Sequence, residues 1–238
     1  MRSKNNPGGQ DGLGEGERAS PEPERSFIEK ARRAQIIDAA VETIAVRGFA
    51  KASLAQIAER AGISKGVISY HFAGKAELIE RLVEQVYGDV DAFVGARLEE
   101  RSEATGWLRV YIESVAAYMS DHRNQLAALG EIFSNFRTSD GALHYGIASS
   151  EPIYTGLENA FLEGQRSGEF RAFDARVMAV SLQAGIDDMF AYWSAHPEHD
   201  LAAHARELAT LFEHATDAPA AQPGGAPHPT APHRAETH

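Results

Sequence analysis

The fold of this chain is decided by residues 53–72, which read SLAQIAERAGISKGVISYHF. Ser53 and Gln56 have the spacing of a capping box, in which the serine side chain accepts the backbone N–H of the glutamine and the glutamine side chain reaches back. Gly62 supplies a turn, and Ser64 is placed to cap a second, short helix. The stretch therefore predicts two helices joined by a tight turn, the arrangement of a helix-turn-helix.

The residues of this stretch divide into an inner and an outer set. Ala58 is the small residue that lets the helices approach, and the apolar residues that hold them together are Ile57, Ile63 and Ile68. What remains on the second helix is small or hydrogen-bonding, which suits close approach to bases and phosphates in a major groove: Ser64, Lys65, Gly66, Ser69, Tyr70 and His71. Many short helical hairpins have a similar pattern, so this stretch alone is only moderately specific.

The flanking residues extend the pattern on both sides. An amphipathic helix predicted over about residues 27–47 ends at Gly48-Phe49, and Y-H-F-x-x-K-x-x-L follows at residues 70–78. Over about residues 30–90 the chain resembles the N-terminal domain of the TetR family, whose pattern reads G-F-x-x-x-S/T, I-A, A-G-V/I-S, Y-x-H-F and K-x-x-L. Gly74 departs from it, because the family often has Ser or Asn there as the cap of the next helix.

The resemblance implies a role for each polar residue of the motif. Base edges would be met by Lys65, Gly66, Val67 and Ser69, and phosphates by Ser53, Tyr70, His71 and Lys75, with Arg32 or Arg33 adding another phosphate contact. For Tyr70 and Phe72 the alternative is packing alone. The DNA-binding residues expected from the motif and the resemblance together are Arg33, Ser53, Ser64, Lys65, Gly66, Val67, Ser69, Tyr70, His71 and Lys75.

Composition and periodicity indicate the organisation of the whole chain. Its 238 residues are 43% hydrophobic and include no cysteine, so a core can form, whereas disulfides and thiolate metal sites are excluded. The polar, Gly- and Pro-rich segments 1–25 and 217–238 are predicted to be disordered. We expect an all-α protein, with a three-helix DNA-binding domain at residues 26–74 and a helical effector-binding and dimerisation domain at residues 75–216. Beyond a long helix from Lys75, further helices are predicted at about 105–120, 123–137, 151–166, 174–195 and 201–215.

Charge is distributed unevenly along the chain. The net charge is −11, yet residues 25–75 contain nine basic and four acidic residues, and no lysine follows Lys75. This asymmetry favours a phosphate-facing module joined to an acidic one, although a solvated basic face would look the same. Residues 1–30 contain no apolar signal-peptide segment, and no apolar run is long enough to span a membrane. We therefore expect a cytoplasmic protein with no membrane partner.

The acidic half is rich in aromatic residues. On packed helices such residues most often form a core, but collectively they also line apolar pockets. In TetR-like proteins this domain holds an effector cavity, and the last two helices pair with a second subunit. The residues expected at an effector are Trp107, Tyr111, Phe133, Tyr154, Asp187, Asp188 and Trp193. The residues expected at a dimer interface form the stripe Leu201, Ala205, Leu208 and Phe212, although packing within one chain could produce the same stripe.

Asp187 and Asp188 interrupt an otherwise apolar helix. Adjacent helical positions point about 100° apart, so one carboxylate could face a pocket and the other solvent or a partner. A cationic ligand framed by aromatic rings would pair with the inner carboxylate. The alternative is a salt bridge to an arginine, with Arg109, Arg123 and Arg137 as the candidates.

No pattern in the sequence indicates catalysis. Walker, GxGxxG, HExxH and GxSxG motifs are absent, and no cofactor is expected. His196, His199 and His204 lack a clear fourth ligand, so we expect no metal site. The sequence thus predicts a repressor that binds a palindromic duplex as a homodimer and is released by a small molecule. The alternatives are a DNA-binding activator without an effector and a helical enzyme or carrier with a chance helix-turn-helix.

Overall fold

The computed structural model of the protein describes residues 22–100 and 106–217. Within these ranges the chain forms helices, two short 3₁₀ segments (Phe49–Lys51 and Ile147–Ser150) and two isolated bridge pairs, with no strand. The expectation of an all-α protein is therefore confirmed. The helices are α1 (Glu22–Arg47), α2 (Leu54–Arg60), α3 (Lys65–His71), α4 (Lys75–Glu99), α5 (Trp107–Asp121), α6 (Arg123–Asn135), α7 (Glu151–Ser167), α8 (Ala175–Ala195) and α9 (Leu201–Thr216).

The helices begin where short polar side chains can cap them. The capping box forms as predicted: Gln56 donates its backbone N–H to the Ser53 hydroxyl, and Ser53 donates its own N–H to the Gln56 side chain. The predicted caps of α3, α8 and α9 also accept an N–H from the first turn of their helix; they are Ser64, Asp174 and Asp200. The helices from α5 onward lie within two residues of their predicted bounds, because these boundaries depend on local sequence.

The first helix differs from its prediction at one end. The predicted start lies at about residue 27, whereas α1 begins at Glu22. Backbone hydrogen bonds extend a helix beyond the point where its side chains reach a core. Of the segments 1–25 and 217–238, which are predicted to be disordered, the structure describes only residues 22–25 in α1 and Asp217, which forms a bridge pair with Phe170. The rest of both segments lies outside the described residues.

The first three helices pack around one apolar centre. Gly48 (φ 79°) and Gly62 (φ 67°) adopt the left-handed backbone that glycine favours, and they end α1 and turn the chain between α2 and α3. Side chains of α1 to α3 and of the start of α4 meet in the fully buried set Ile36, Ile44, Ile57, Ile68, Phe72 and Leu78. One face of α3 is thereby fixed inward and the other is left outward.

The second half is a bundle that is joined to the first by α4 and α6. α4 packs on α5, α5 on α9 and α7 on α8, while α6 returns to pack against α1. α4 and α8 are not among the closely packed helix pairs of residues 22–100 and 106–217. No helix in these ranges has both the length and the hydropathy that crossing a bilayer requires.

The predicted dimer stripe on α9 is wrong for three of its four residues. Leu201, Ala205 and Phe212 are buried within the protomer, because this side of α9 lies on α5. Only Leu208 remains partly exposed. The outer faces of α8 and α9 carry a different exposed apolar set, which we call the outer seam: Val177, Val180, Ala184 and Leu211.

Candidate DNA-binding interface and effector domain

The two faces of α3 are sharply different. Ile68 faces inward and is fully buried. The outward residues of α3 are exposed and either polar or without a side chain: Lys65, Gly66, Ser69 and Tyr70. Val67 and His71, also predicted at the DNA, are half-buried at the edges of this face. The short helix thus presents a donor-rich surface with no bulky aliphatic side chain in its centre, as entry into a groove requires.

Tyr70 and Phe72 have opposite environments. The Tyr70 side chain is 80% exposed, so packing does not explain this residue, whereas Phe72 is 1% exposed and belongs to the core. The Tyr70 ring meets the His71 ring edge-on, with 5.0 Å between the centroids. A phenol held at the outer end of α3 offers a hydroxyl donor to a phosphate oxygen.

The two N-cap serines differ in whether their hydroxyl hydrogen is still free to donate to a phosphate. The Ser53 hydroxyl accepts the Gln56 N–H and also donates to the Gln56 side chain. The Ser64 hydroxyl accepts the Val67 N–H, and among the described residues it has no acceptor for its own hydrogen. Ser64 is therefore the better placed of the two predicted donors.

Arg33 is committed to the protein rather than to a phosphate. Its guanidinium donates to the His71 carbonyl oxygen (2.8 Å), lies 4.6 Å from the Phe72 ring centroid and is 3.9 Å from the Glu77 carboxylate. These contacts satisfy a carbonyl at the C-terminal end of α3. The predicted phosphate contact of Arg33 is therefore replaced by a structural role. Arg32 beside it is half-buried and donates to the side chain of Gln35.

Lys75 is also turned inward. Its ammonium donates to the Phe49 carbonyl oxygen (2.7 Å) and lies 4.1 Å from the Phe49 ring centroid. Burial lowers the pKa of this lysine. A phosphate contact would require the ammonium to leave Phe49.

A hydrogen bond joins the first three helices to the second half of the chain. The Glu131 carboxylate on α6 accepts the backbone N–H of Phe49 at 2.9 Å, and the Phe49 ring packs on Phe136 with 5.5 Å between centroids. We call this contact the α6 joint. This contact could not be predicted from the sequence, because its two residues are separated by 82 positions and no local pattern relates them.

The predicted effector residues fall into separate places. Trp107 contacts Tyr111 and Phe161, and Phe133 stacks on Tyr87 with 6.5 Å between centroids. Trp193 is buried and covered by the guanidinium of Arg123 at 4.2 Å, which makes it a core residue. Tyr154 lies apart, beneath the guanidinium of Arg176. The seven predicted residues therefore do not form one pocket.

Asp187 lies on α8, a helix that is not closely packed against α4. Its carboxylate accepts the amide N–H of the buried Gln183 at 2.8 Å. Asp187 is exposed in the protomer, although desolvation raises the pKa of its carboxyl. Its neighbour Asp188 is exposed as well.

The charge of Asp187 acts on two tyrosines of other helices. Burial, and then the charge of Asp187, raise the pKa of Tyr87 to about 12. Burial, followed by the charges of Asp91 and Asp187, raises the pKa of Tyr111 to about 12. Tyr87 and Asp91 belong to α4, Tyr111 to α5 and Asp187 to α8. Tyr111 and Asp187 are expected at an effector from the sequence, whereas Tyr87 and Asp91 are not.

The salt bridge considered for the two aspartates is wrong. Arg109 binds Glu213 and Glu113, and Arg123 covers Trp193. Arg137 donates to the carbonyl oxygen of Ser134. Within the described part of the chain, no ion pair involves Asp187 or Asp188.

Two of the three histidines near the α8–α9 turn contact each other. Nε2 of His199 lies 3.0 Å from Nδ1 of His204, and both rings pack against Tyr192. Desolvation and then His199 lower the pKa of His204. Across the described ranges, no three metal-ligating side chains converge.

Comparison with known proteins agrees with the geometry of α3. The family model described as "Bacterial regulatory proteins, tetR family" matches residues 36–82. The chain is 31% identical to the HTH-type transcriptional regulator TtgR of Pseudomonas putida over 180 residues, which cover 70% of this chain and 81% of that protein.

Solved structures share this helical fold over most of the chain. FadR from Bacillus subtilis in complex with stearoyl-CoA has a TM-score of 0.67 at 25% identity, covering 75% of this chain and 96% of that one. A transcriptional regulator from Saccharomonospora viridis in complex with choline has a TM-score of 0.66 at 21% identity, covering 80% of this chain and 100% of that one. The chain therefore belongs to the tetR family of bacterial regulatory proteins and is a DNA-binding transcriptional regulator.

Proposed function

We propose that this regulator is a repressor that binds a palindromic operator as a homodimer through two copies of α3 and leaves it when a small molecule binds the second half. The observation that carries the DNA-binding assignment is the outward face of α3, where Lys65, Gly66, Ser69 and Tyr70 are exposed while Ile68 anchors the helix from behind. We also infer a cytoplasmic location, because the operator DNA is there.

The outer seam is the surface that we propose for the second subunit. Val177 and Leu211 are 61% and 62% exposed, although they lie on the two helices that end the described chain. Exposed apolar side chains on adjacent helices are typical of a surface that another protein covers. We propose that a two-fold arrangement about this seam brings two α3 helices to one duplex.

The proposed release depends on a connection between the two halves. The α6 joint supplies one, because α6 carries Glu131, which binds Phe49, and two residues later Phe133, which stacks on Tyr87 of α4. A ligand releases operator only if it binds the DNA-incompetent arrangement more tightly than the competent one. The two structural neighbours hold stearoyl-CoA and choline, so the fold accepts chemically different ligands, and the class for this chain has to come from its own residues.

The test begins with selection of genomic DNA fragments by the purified full chain. We expect an enriched inverted repeat. Light scattering of the protein bound to this repeat should give the mass of a complex that contains two subunits. Lys65→Ala and Ser69→Ala should change the preferred base pairs. Arg166→Ala is the matched control for Lys65→Ala, because it removes the same charge from an exposed position on α7 and should leave binding unchanged. Absence of any enriched sequence, or equal loss with Arg166→Ala, would contradict the proposal.

A further inference from the structure

The helix that carries the outward DNA-binding face has few attachments to the other helices. Among the closely packed helix pairs of residues 22–100 and 106–217, α3 occurs only with α2. Its fully buried anchors are Ile68, near its middle, and Phe72, directly after its end. Apolar packing holds these side chains in the core but is not directional. Directional contacts are therefore needed to fix the angle of α3 about its anchors.

One such contact comes from α1. The Arg33 guanidinium donates to the carbonyl oxygen of His71, the last residue of α3, at 2.8 Å and lies 4.6 Å from the Phe72 ring centroid. Within the described part of the chain, no other side chain from outside the α2–α3 pair hydrogen-bonds to α3. The last carbonyl oxygens of a helix have no N–H partner in the helix itself. Arg33 supplies that partner and ties the end of α3 to α1.

The Arg33 guanidinium is itself oriented by α4. One of its terminal nitrogens lies 3.9 Å from the Glu77 carboxylate, and the other oxygen of that carboxylate accepts the backbone N–H of Ala73 at 2.6 Å. A guanidinium is planar and donates in fixed directions. Because it is bonded on one side and paired on another, Arg33 holds the end of α3 in one position relative to α1 and α4.

A second side chain of α1 makes the equivalent contact with α2. Gln35 donates its amide N–H to the carbonyl oxygen of Ala61, at the C-terminal end of α2, at 2.8 Å. The amide oxygen of Gln35 accepts from Arg32 at 2.7 Å, which orients the amide. Two residues of α1 thus hold both helices of the helix-turn-helix by their C-terminal carbonyl groups.

We propose that Arg33 and Gln35 are positioning residues for DNA recognition, which set the angle of α3 in the groove without contacting DNA themselves. The inference rests on the proposed function in taking α3 as the helix that reads the bases. Hydrogen bonds to base edges weaken steeply with distance and angle, whereas the attraction between a cation and phosphates has no preferred direction. Loss of either residue therefore reduces discrimination between sequences more than it reduces attraction to DNA in general.

The experiment measures discrimination and attraction separately. The wild-type full chain selects a preferred duplex from a pool of random-sequence DNA. Each variant is then titrated with that duplex and with a duplex of the same composition in scrambled order, at several salt concentrations. The temperature is one at which thermal unfolding shows every variant to be folded, so that a loss of stability alone does not change the result.

The variants remove the two contacts with and without a change of charge. Arg33→Met removes the donors and the charge but keeps an unbranched stem, and Gln35→Met removes a donor without changing the charge. Arg60→Gln is the matched control, because it removes a different arginine contact with α1, the 2.8 Å bond to Glu42, and does not touch α3.

We expect Arg33→Met to lower the ratio of the two affinities by about tenfold and Gln35→Met by about threefold, as loss of a charged and a neutral hydrogen bond does. The salt slope on the scrambled duplex should stay that of the wild type, and Arg60→Gln should keep the wild-type ratio. A wild-type ratio in Arg33→Met, or an equal loss in Arg60→Gln, would overturn the inference. So would equal weakening on both duplexes with a salt slope lower by about one, which is the result of losing a phosphate contact.

Variants on α3 itself separate this inference from the proposed function. If Lys65→Ala and Ser69→Ala leave the selected sequence unchanged, α3 does not read the bases, and both proposals fail. If they change that sequence while Arg33→Met and Gln35→Met keep the wild-type ratio, the proposed function stands and the positioning role is lost.

Discussion

The ammonium of Lys75 lies on the ring of Phe49, 4.1 Å from its centroid, and donates to the carbonyl oxygen of the same residue at 2.7 Å. One lysine at the start of α4 thereby holds both the side chain and the main chain of the turn that follows α1. Phe49 in turn lies on Phe136 of α6. The start of α4, the end of α1 and α6 are therefore fixed to one another at a single residue.

Lys75→Ala should lower the free energy of unfolding by about 1–2 kcal/mol, because it removes a cation–π contact and leaves a carbonyl oxygen without its donor. Lys65→Ala is the control, since Lys65 is exposed and its loss should leave stability unchanged. Urea denaturation measures both. In salt titrations of operator binding, Lys65→Ala should reduce the slope by about one, while Lys75→Ala should not. Unchanged stability in Lys75→Ala would show that the contact contributes nothing.

Glu131→Ala should destabilise the chain by about 1–2 kcal/mol, because the Phe49 N–H loses its acceptor in a half-buried setting. Glu131→Gln keeps an acceptor oxygen and should restore most of this stability. The α6 joint should also affect the release of operator by ligand. The ligand concentration that frees a given fraction of operator should be higher for Glu131→Ala than for Glu131→Gln. If both variants release operator as the wild type does, the α6 joint does not transmit the signal.

Asp187→Asn should stabilise the chain at pH 7. A carboxyl whose pKa is raised by folding binds its proton more tightly in the folded state, so its ionisation at neutral pH costs stability. The groups facing it are Gln183 and Asp188 on α8, Tyr87 on α4 and Tyr111 on α5, none of which is a cation. The gain over wild type should shrink as the pH falls through the raised pKa toward the ordinary value of 3.8. Thermal unfolding across this pH range measures the difference in stability between Asp187→Asn and the wild type. A difference that does not depend on pH would exclude desolvation of the carboxylate as its cause.

Leu211→Arg should give a folded monomer. The side chain is 62% exposed in one protomer, so the charge costs little there, but in a dimer it would be desolvated and unpaired at a cost of several kcal/mol. Leu162→Arg on α7 is the control, because Leu162 is an exposed leucine outside the outer seam and its variant should stay dimeric. Light scattering of both variants at equal concentration distinguishes monomer from dimer. A dimeric Leu211→Arg protein would exclude the outer seam as the dimer interface.

Local features of this protein followed from its sequence, and long-range ones did not. The caps Ser53, Asp174 and Asp200 were predictable because each bonds an N–H three residues away. Periodicity found the apolar side of α9 but could not tell whether α5 or a second subunit covers it. As a result Leu201 and Phe212 were assigned to the wrong neighbour.

The charged residues show the same limit. A basic residue next to a DNA-binding motif suggests a phosphate contact, yet Arg33 reaches His71, 38 residues away, and Lys75 reaches Phe49, 26 residues away. The charge of Asp187 acts on Tyr87, which lies 100 residues earlier in the sequence. In each case the residue type indicates which interactions the side chain can make. Which partner it contacts depends on how the helices pack.

The α6 joint uses a main-chain N–H on the DNA-binding side, and every amino acid except proline supplies that group at position 49. Mutations that alter operator reading on α3 therefore leave the donor of the joint in place, and mutations elsewhere in the second half leave Glu131 in place. The two halves can therefore diverge under separate selection while the hydrogen bond between them is kept. In such a chain, ligand specificity can change without a change in operator specificity, and operator specificity can change without a change in ligand specificity.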